Sequence, residues 1–439
     1  MYKYIFVILL ISFQINFAKQ SNVILSNSDS VRVDSISITG NKVTKEFVIL
    51  RELTFKAGDI VNKKVLDFNK ERIFSLGLFN KVELNIIEKR NIIILNIYVA
   101  ESWYIYPLPF LTLRDKTIKR ASYGIILLYK NFRGRNETLK GIATFGYNPA
   151  YALSYFNPVI SNGSNFMLGI DLLYSTIKNR NLVDQKKLNN DFNYVTALSS
   201  VKLGYRIDLF NTVVGITSYE YYRFPSAVAN LTASKTNIDR ILSAGILYSF
   251  DSRNLKQYSN DGIFGEAFFV HKGFGLNNIS YNIFSIDFRH YKMLFGNLSG
   301  KWRFLYRHTF GATVPFYELS LLGDKLNIRG HKFQRREGNN SILTSFELNY
   351  PLIKEWNFSI KLPLLPKQLT SARIAFYANA FLDAGVTYNN KQPLALNKFD
   401  SGYGFGVTLL ILPYNAFRFE YALDEYGNGQ FIIESGFSF

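Results

Sequence analysis

The sequence predicts a transmembrane antiparallel β-barrel of about 16 strands, preceded by one small α+β domain. Three observations carry that prediction. Hydrophobic residues reach 48% of the chain, yet beyond the first residues they never gather into the run of about 20 that a membrane helix needs. From Trp103 to Phe439, apolar and polar residues instead alternate at period two, the spacing of a strand with one greasy and one wet face. Between residues 31 and 101 the spacing mixes strand and helix periods, which marks a separate compact unit.

Residues 1–18 read as a secretory signal, with Lys3 as the positive start, Ile5 to Ile11 as the apolar core and Ala18-Lys19 at the exit. The apolar run is too short for a membrane anchor. Residues 19–30 form a polar linker. The chain has no Cys, which removes a lipoprotein anchor, a thiolate zinc site and a Cys nucleophile. Its net charge of +18 comes from scattered Lys and Arg, with no basic helix. Anionic lipid headgroups are therefore the expected counterpart, and nucleic acid is not.

In the unit 31–101, Val31 to Ile38 alternates as a strand and stops at the turn Thr39-Gly40-Asn41. Thr44 is placed to cap a helix through Leu53, and Asn62 a second helix that closes at Gly77. Two strands, Val82 to Glu88 and Ile92 to Val99, follow around the turn Lys89-Arg90-Asn91. The order Ile38-Thr-Gly40-Asn41, then Phe55 to Asp59 with Gly58 at its turn, then Phe74-Ser-Leu-Gly77-Leu-Phe79, resembles a POTRA domain. A single copy fits before Trp103. That resemblance implies a periplasmic adaptor.

From residue 103 to 439 about 16 alternating segments can be counted, beginning near Trp103, Ala121, Arg135, Tyr151, Phe166, Tyr194, Thr212, Ile238, Ile263, Ile279, Leu298, Ile342, Ala372, Tyr403, Ala416 and Gln430. Leu298, Trp302, Phe304 and Tyr306 oppose Ser299, Lys301, Arg303 and Arg307. Phe284, Ile286 and Phe288 oppose Ser285, Asp287 and Arg289; Phe417, Phe419 and Tyr421 oppose Arg418, Glu420 and Ala422. Phe431, Ile433, Phe437 and Phe439 are expected on one face of the last strand, and the terminal Phe439 fits an outer-membrane barrel signal.

The segment from Gly311 to Asn340 is long and contains Leu322-Gly-Asp-Lys-Leu-Asn-Ile328-Arg329-Gly330-His331. With Phe381-Leu-Asp383-Ala-Gly385, Asp251-Ser-Arg253 and the glycines 402, 404 and 406, it resembles the BamA/TamA family, whose barrel is the bacterial surface antigen type. The resemblance implies a loop folded back into the lumen, with Arg329 paired to Asp383, or alternatively to Glu420. An Arg fork on a carboxylate is a directional clip. His331 departs from the aromatic expected beside the glycine. Arg329→Ala is expected to matter and Lys332→Ala is not.

No Gly-x-Ser-x-Gly, His-Glu-x-x-His or phosphate-binding loop occurs, and the four His are scattered, so neither an enzyme nor a cofactor or metal is expected. The resemblance implies insertion of outer-membrane proteins or translocation across that membrane. Unfolded clients would be captured by a POTRA sheet edge, either Val31–Ile38 or Val82–Glu88, and by a seam between roughly Tyr104–Leu113 and Gln430–Phe439. Outer-membrane lipid and accessory periplasmic proteins or lipoproteins are the other expected partners. A dedicated translocator of one secreted partner, a passive porin and a membrane enzyme are the rivals.

Overall fold

The computed structural model describes residues 22–23, 29–113, 118–161, 163–178, 192–323, 326–332, 334–360, 363, 366 and 368–438. The signal-like segment, most of the linker and Phe439 lie outside the described residues. The small domain contains β1 (Ser30–Arg32), β2 (Ser35–Thr39), α1 (Glu46–Leu50), β3 (Ile60–Asn62), α2 (Lys63–Phe74), β4 (Phe79–Lys89) and β5 (Ile92–Glu101). The stretch expected as one strand is broken at Asp34. Its first part pairs with β3 and its second runs parallel to β5, because the Asp34 carboxylate caps Ile93 N at 2.7 Å and turns the chain between partners.

Asn62 caps α2, its side chain accepting from Val65 N at 3.0 Å. Thr44 does not cap α1. Its hydroxyl donates to Glu101 at 2.7 Å, the helix starts after Lys45 without a side-chain cap, and it ends at Leu50 rather than Leu53. The β4–β5 hairpin turns on Arg90 and Asn91 at φ 52° and 61°, the two positive values of a tight two-residue turn. Gly40, Gly58 and Gly77 all sit at positive φ, where the chain reverses. Val33, Ile49, Ile73, Phe79, Leu95 and Ile97 fill the core between α2 and the sheet.

The barrel strands begin with β6 (Ile105–Leu113), β7 (Ala121–Phe132), β8 (Glu137–Gly146), β9 (Ala150–Asn157) and β10 (Phe166–Lys178). Then come β11 (Asn193–Arg206), β12 (Asn211–Arg223), β13 (Ile238–Asp251), β14 (Gly262–Lys272), β15 (Tyr281–Phe295) and β16 (Leu298–Gly311). The last five are β17 (Asn340–Ser359), β18 (Ser371–Tyr388), β19 (Asp400–Leu412), β20 (Asn415–Asp424) and β21 (Gly429–Ser435). All 16 lie antiparallel to their sequence neighbours in one sheet. Alternation sends Leu111, Phe405 and Phe431 outward, where they are 65%, 64% and 65% exposed, a surface for hydrocarbon rather than water. Lys301, Asn349, Asp383 and Glu420 point inward and are buried.

Among the described residues the sheet does not close. No hydrogen-bonded pair among them joins β6 to β21, so the two ends form a seam. The chain leaves the sheet after Ser435, and Phe437 packs inward against the core shared with the small domain instead of facing out beside Ile433. That placement corrects the expectation for Phe437.

The small domain seats on the barrel mouth from which β6 starts. Lys45 N bonds Gly134 O at 2.8 Å, Arg51 bonds Pro158 O at 3.0 Å, and Ser75 takes Lys256 N at 3.0 Å. Asn80 reaches Gln368 O at 2.8 Å and accepts from Tyr414 at 2.9 Å. Two ion-pair clusters reinforce this ring of turn contacts. Glu52 binds Arg72 at 3.0 Å and Arg206 at 2.8 Å, and Arg373 binds Glu71 at 2.6 Å and Glu355 at 3.1 Å. Burial alone would raise the Glu52 carboxyl, but Arg206 and Arg72 hold it below its ordinary range.

Candidate functional site in the barrel lumen

The loop between β16 and β17 folds over the inner wall, and its own hairpin pairs Ser320–Leu322 with Arg336–Gly338. Ile328 is buried in a cluster with Leu322 and Leu343, so an apolar residue before the arginine anchors the loop by packing. Arg329 then lies flat in the lumen. Its Nε donates to Asp383 Oδ2 and Nη2 to Asp383 Oδ1, both at 2.8 Å, and its backbone N–H also donates to Asp383 at 3.0 Å. Nη1 donates to Glu347 at 2.9 Å and to Glu420 at 3.1 Å. The guanidinium carbon sits 3.7 Å from the centre of the Phe381 ring, a cation–π contact beneath the fork.

The two acidic partners weighed from the sequence thus both bind Arg329, and a third, Glu347, was missed. Parity along β17 puts Ser345, Glu347 and Asn349 on the lumen face, which was readable, but which carboxylate the loop reaches was not. Three cations balance the three carboxylates. Lys301 lies 3.4 Å from Glu347 and Arg418 lies 3.5 Å from Glu420, beside Arg329 itself. A buried network of this kind is tolerable because each charge has a counter-charge and directional bonds.

Two glycines make the docking possible. Gly330 has φ +100°, and a Cβ there would stand 2.7 Å from Leu423 O. A Cβ on Gly402 would lie 1.6 Å from Arg329 O, inside any contact distance, so only a bare backbone lets the loop approach β19. A Cβ on Gly385, on the Asp383 strand, would stand 3.0 Å from Ile328 Cδ1.

His331 replaces aromatic packing with hydrogen bonds. It is buried, with Nε2 2.5 Å from Glu425 and Nδ1 3.0 Å from Gln334. Burial would lower this imidazole, but the Glu425 bond raises it, and Glu425 is held correspondingly low. His331, Glu425 and Asp400 have donor atoms within 4.8 Å of one another, although Asp400 is paired with Arg336 and His331 with Glu425.

Lys332 is not an idle loop cation. It pairs with Glu434 on β21 at 2.5 Å, and Arg418 also binds Glu434, so the loop is tied to the last strand beside the seam. Ser438, past the end of β21, donates to Glu347 at 3.2 Å and joins the tail to the same cluster. Asp251 and Arg253 form a bidentate pair at 2.8 and 3.0 Å at the β13–β14 turn, next to the small domain.

Residues 131–439 match the Omp85 superfamily domain. The chain belongs to the Omp85 superfamily. Residues 31–102 match the POTRA domain described as the surface antigen variable number repeat, so the adaptor unit and the barrel are both of this family's kind. The structure is similar to BamA from Haemophilus ducreyi lacking POTRA domains 1–3, at 17% identity and TM-score 0.52, covering 92% of this chain and 84% of that one. It is also similar to CdiB from Escherichia coli, at 11% identity and TM-score 0.54, covering 92% and 75%. CdiB from Acinetobacter baumannii gives 14% identity, TM-score 0.50 and 92% and 73% coverage. These likenesses describe the fold. No curated protein sequence matches the chain. As an Omp85 barrel the protein belongs to the outer membrane and to the class that inserts or translocates proteins there.

Proposed function

We propose that this Omp85 protein takes extended polypeptide clients at the seam between β6 and β21 and assists their insertion into the outer membrane, with the POTRA domain on the periplasmic side. The observation that carries this reading is the unpaired seam. Backbone groups left unpaired at hydrocarbon depth are costly, so two free strand edges favour an added strand more than an intact wall would. The lumen argues the same way. The Arg329 loop lies folded along its inner wall and the POTRA domain seats on the mouth, an arrangement that favours a lateral route over the steady conductance of a porin.

Capture would begin at the POTRA sheet. The β4 edge is partly occupied by Asn22 and Val23 of this chain, which pair with Ile87 and Ile86. The β2 edge, Ser35–Thr39, is the freer one in the sheet order. Pairing through backbone bonds is sequence-tolerant and suits varied clients. Outer-membrane lipid bathes the outward face, and accessory periplasmic proteins or lipoproteins would dock on the POTRA domain. The reading includes no catalytic step and no cofactor.

A second reading, export of one secreted partner through the lumen, requires the loop and the POTRA seat to move, and that seat combines ion pairs with an apolar core shared with the barrel. Depletion of the protein in its own cells, followed by a survey of outer-membrane and secreted proteins, separates the two. Loss of several barrels supports insertion, loss of one secreted product supports dedicated export, and loss of neither refutes both.

A further inference from the structure

The direction of the backbone groups along β6 and β21 decides what each seam edge can offer. Tyr104 O accepts from Lys130 N at 2.8 Å, and the β6–β7 register then runs without a shift from Ile105↔Tyr129 to Leu113↔Ala121. In an antiparallel pair, successive residues turn both N–H and C=O alternately toward and away from the partner. Even-numbered residues of β6 therefore bond β7, and Ile105, Pro107, Pro109, Leu111 and Leu113 face the seam. Pro107 and Pro109 have no N–H, so the middle of this edge presents carbonyls only. The carbonyl of Ile105 is already taken by Trp103 Nε1 at 2.5 Å.

The opposite edge is complete. Gly436 N donates to Ala416 O at 2.8 Å and Asp424 N to Asn428 O at 3.1 Å, which places the even-numbered residues of β21 against β20. Gly429, Phe431, Ile433 and Ser435 thus face the seam, each with a donor and an acceptor. Phe431 and Ile433 also point outward, and the tail beyond Ser435 turns into the lumen rather than covering the edge.

We propose that an extended client strand pairs with the β21 edge, and that Pro107 and Pro109 keep the β6 edge from acting as a template. This rests on the seam reading above and adds which side of the seam receives the client. A strand laid on β6 would leave two of its own carbonyls without donors in hydrocarbon; one laid on β21 leaves none. The matching client is an alternating segment with apolar residues beside Phe431 and Ile433 on the lipid side. The same prolines prevent β21 from zipping fully onto β6, so the receiving edge stays available.

The absence of Cys makes single-Cys variants unambiguous. The probe is a synthetic peptide with the sequence of residues 429–439 of this chain, carrying Cys in place of the residue corresponding to Ile433. It is added to the full chain in vesicles of phosphatidylethanolamine and phosphatidylglycerol. Disulfide yield at Ile433→Cys is expected to exceed that at Leu111→Cys by about thirtyfold, equivalent to about 2 kcal/mol at 1.4 kcal/mol per decade. Adding Pro107→Ile and Pro109→Ile to the Leu111→Cys variant should raise its yield at least severalfold. Equal or greater yield at Leu111→Cys with the prolines in place, or no rise after their replacement, overturns the edge assignment and leaves the seam reading standing. No cross-link at either edge in any variant overturns both.

Discussion

Arg329→Ala is the perturbation whose cost can be worked most directly from the lumen geometry. The substitution removes the cation from three buried carboxylates, but not equally. Glu347 keeps Lys301 at 3.4 Å and Glu420 keeps Arg418 at 3.5 Å. Asp383, in contrast, loses both of its guanidinium bonds and retains only the backbone N–H of residue 329. Removing one member of a buried ion pair costs about 3–5 kcal/mol. The lower end, about 3 kcal/mol, corresponds to a roughly 150-fold shift toward the undocked loop at 1.36 kcal/mol per decade. Arg329→Lys keeps the charge and loses the fork, so it should fall between the parent and Arg329→Ala. Protease protection of the loop and the temperature at which the barrel unfolds on semi-native gels report the two consequences, with exposed Lys391→Ala as the control. Unchanged protection and unfolding temperature in Arg329→Ala would refute the claim that this arginine holds the loop.

The other predictions concern the surroundings of that clip. Gly402→Ala should undock the loop as strongly as Arg329→Ala, since its Cβ would sit 1.6 Å from Arg329 O, and the same protease assay reads it; wild-type protection would contradict the close approach. Arg373→Glu should loosen the POTRA domain from the barrel mouth by about 3 kcal/mol, and pairing it with Glu71→Arg should restore much of the contact. Disulfide yield between Ser75→Cys and Gln257→Cys measures that seat, and an unaltered yield in Arg373→Glu would count against it. The raised His331 imidazole contributes stability that is full below its unfolded pKa of about 6.5 and is lost as pH rises through the folded value. Loop protection should therefore weaken on the alkaline side, while His331→Phe should flatten that dependence; an identical pH profile in both proteins would remove His331 from the docking.

Much of this architecture was legible because a barrel writes its strand faces into the sequence. Each of the 16 strand starts inferred from alternation has an observed strand beginning within a few residues of it, from Ile105 for Trp103 to Gly429 for Gln430. The loop signature and Asp383 were legible for a different reason, since together they resemble the motifs of a known family; Arg-Gly alone would read as an ordinary exposed loop arginine. Local rules failed where a side chain had a distant partner. Thr44 looks like a helix cap, but Glu101 claims its hydroxyl, and Asp34 interrupts an alternating run by capping Ile93. Lys332 looked replaceable because Glu434 is far away in sequence. Glu347 was on a readable inward face, yet nothing local says that the loop arginine extends to it. The POTRA seat was invisible because it joins α2, the ends of α1 and α2 and the start of β4 to the barrel through contacts separated by as many as 334 residues. Pro107 and Pro109 were in plain view, but their meaning depends on the register with β7, which decides that both nitrogens face the seam.

The central claim is that clients use the seam between β6 and β21. A reducible bifunctional maleimide joining Leu111→Cys to Phe431→Cys would tether its edges in the otherwise Cys-free chain. Client assembly in cells depleted of the native protein would then be followed before and after reduction. The account predicts that assembly stops while the tether is intact and resumes when it is cut. Client assembly at the untethered rate with the seam held shut would contradict it.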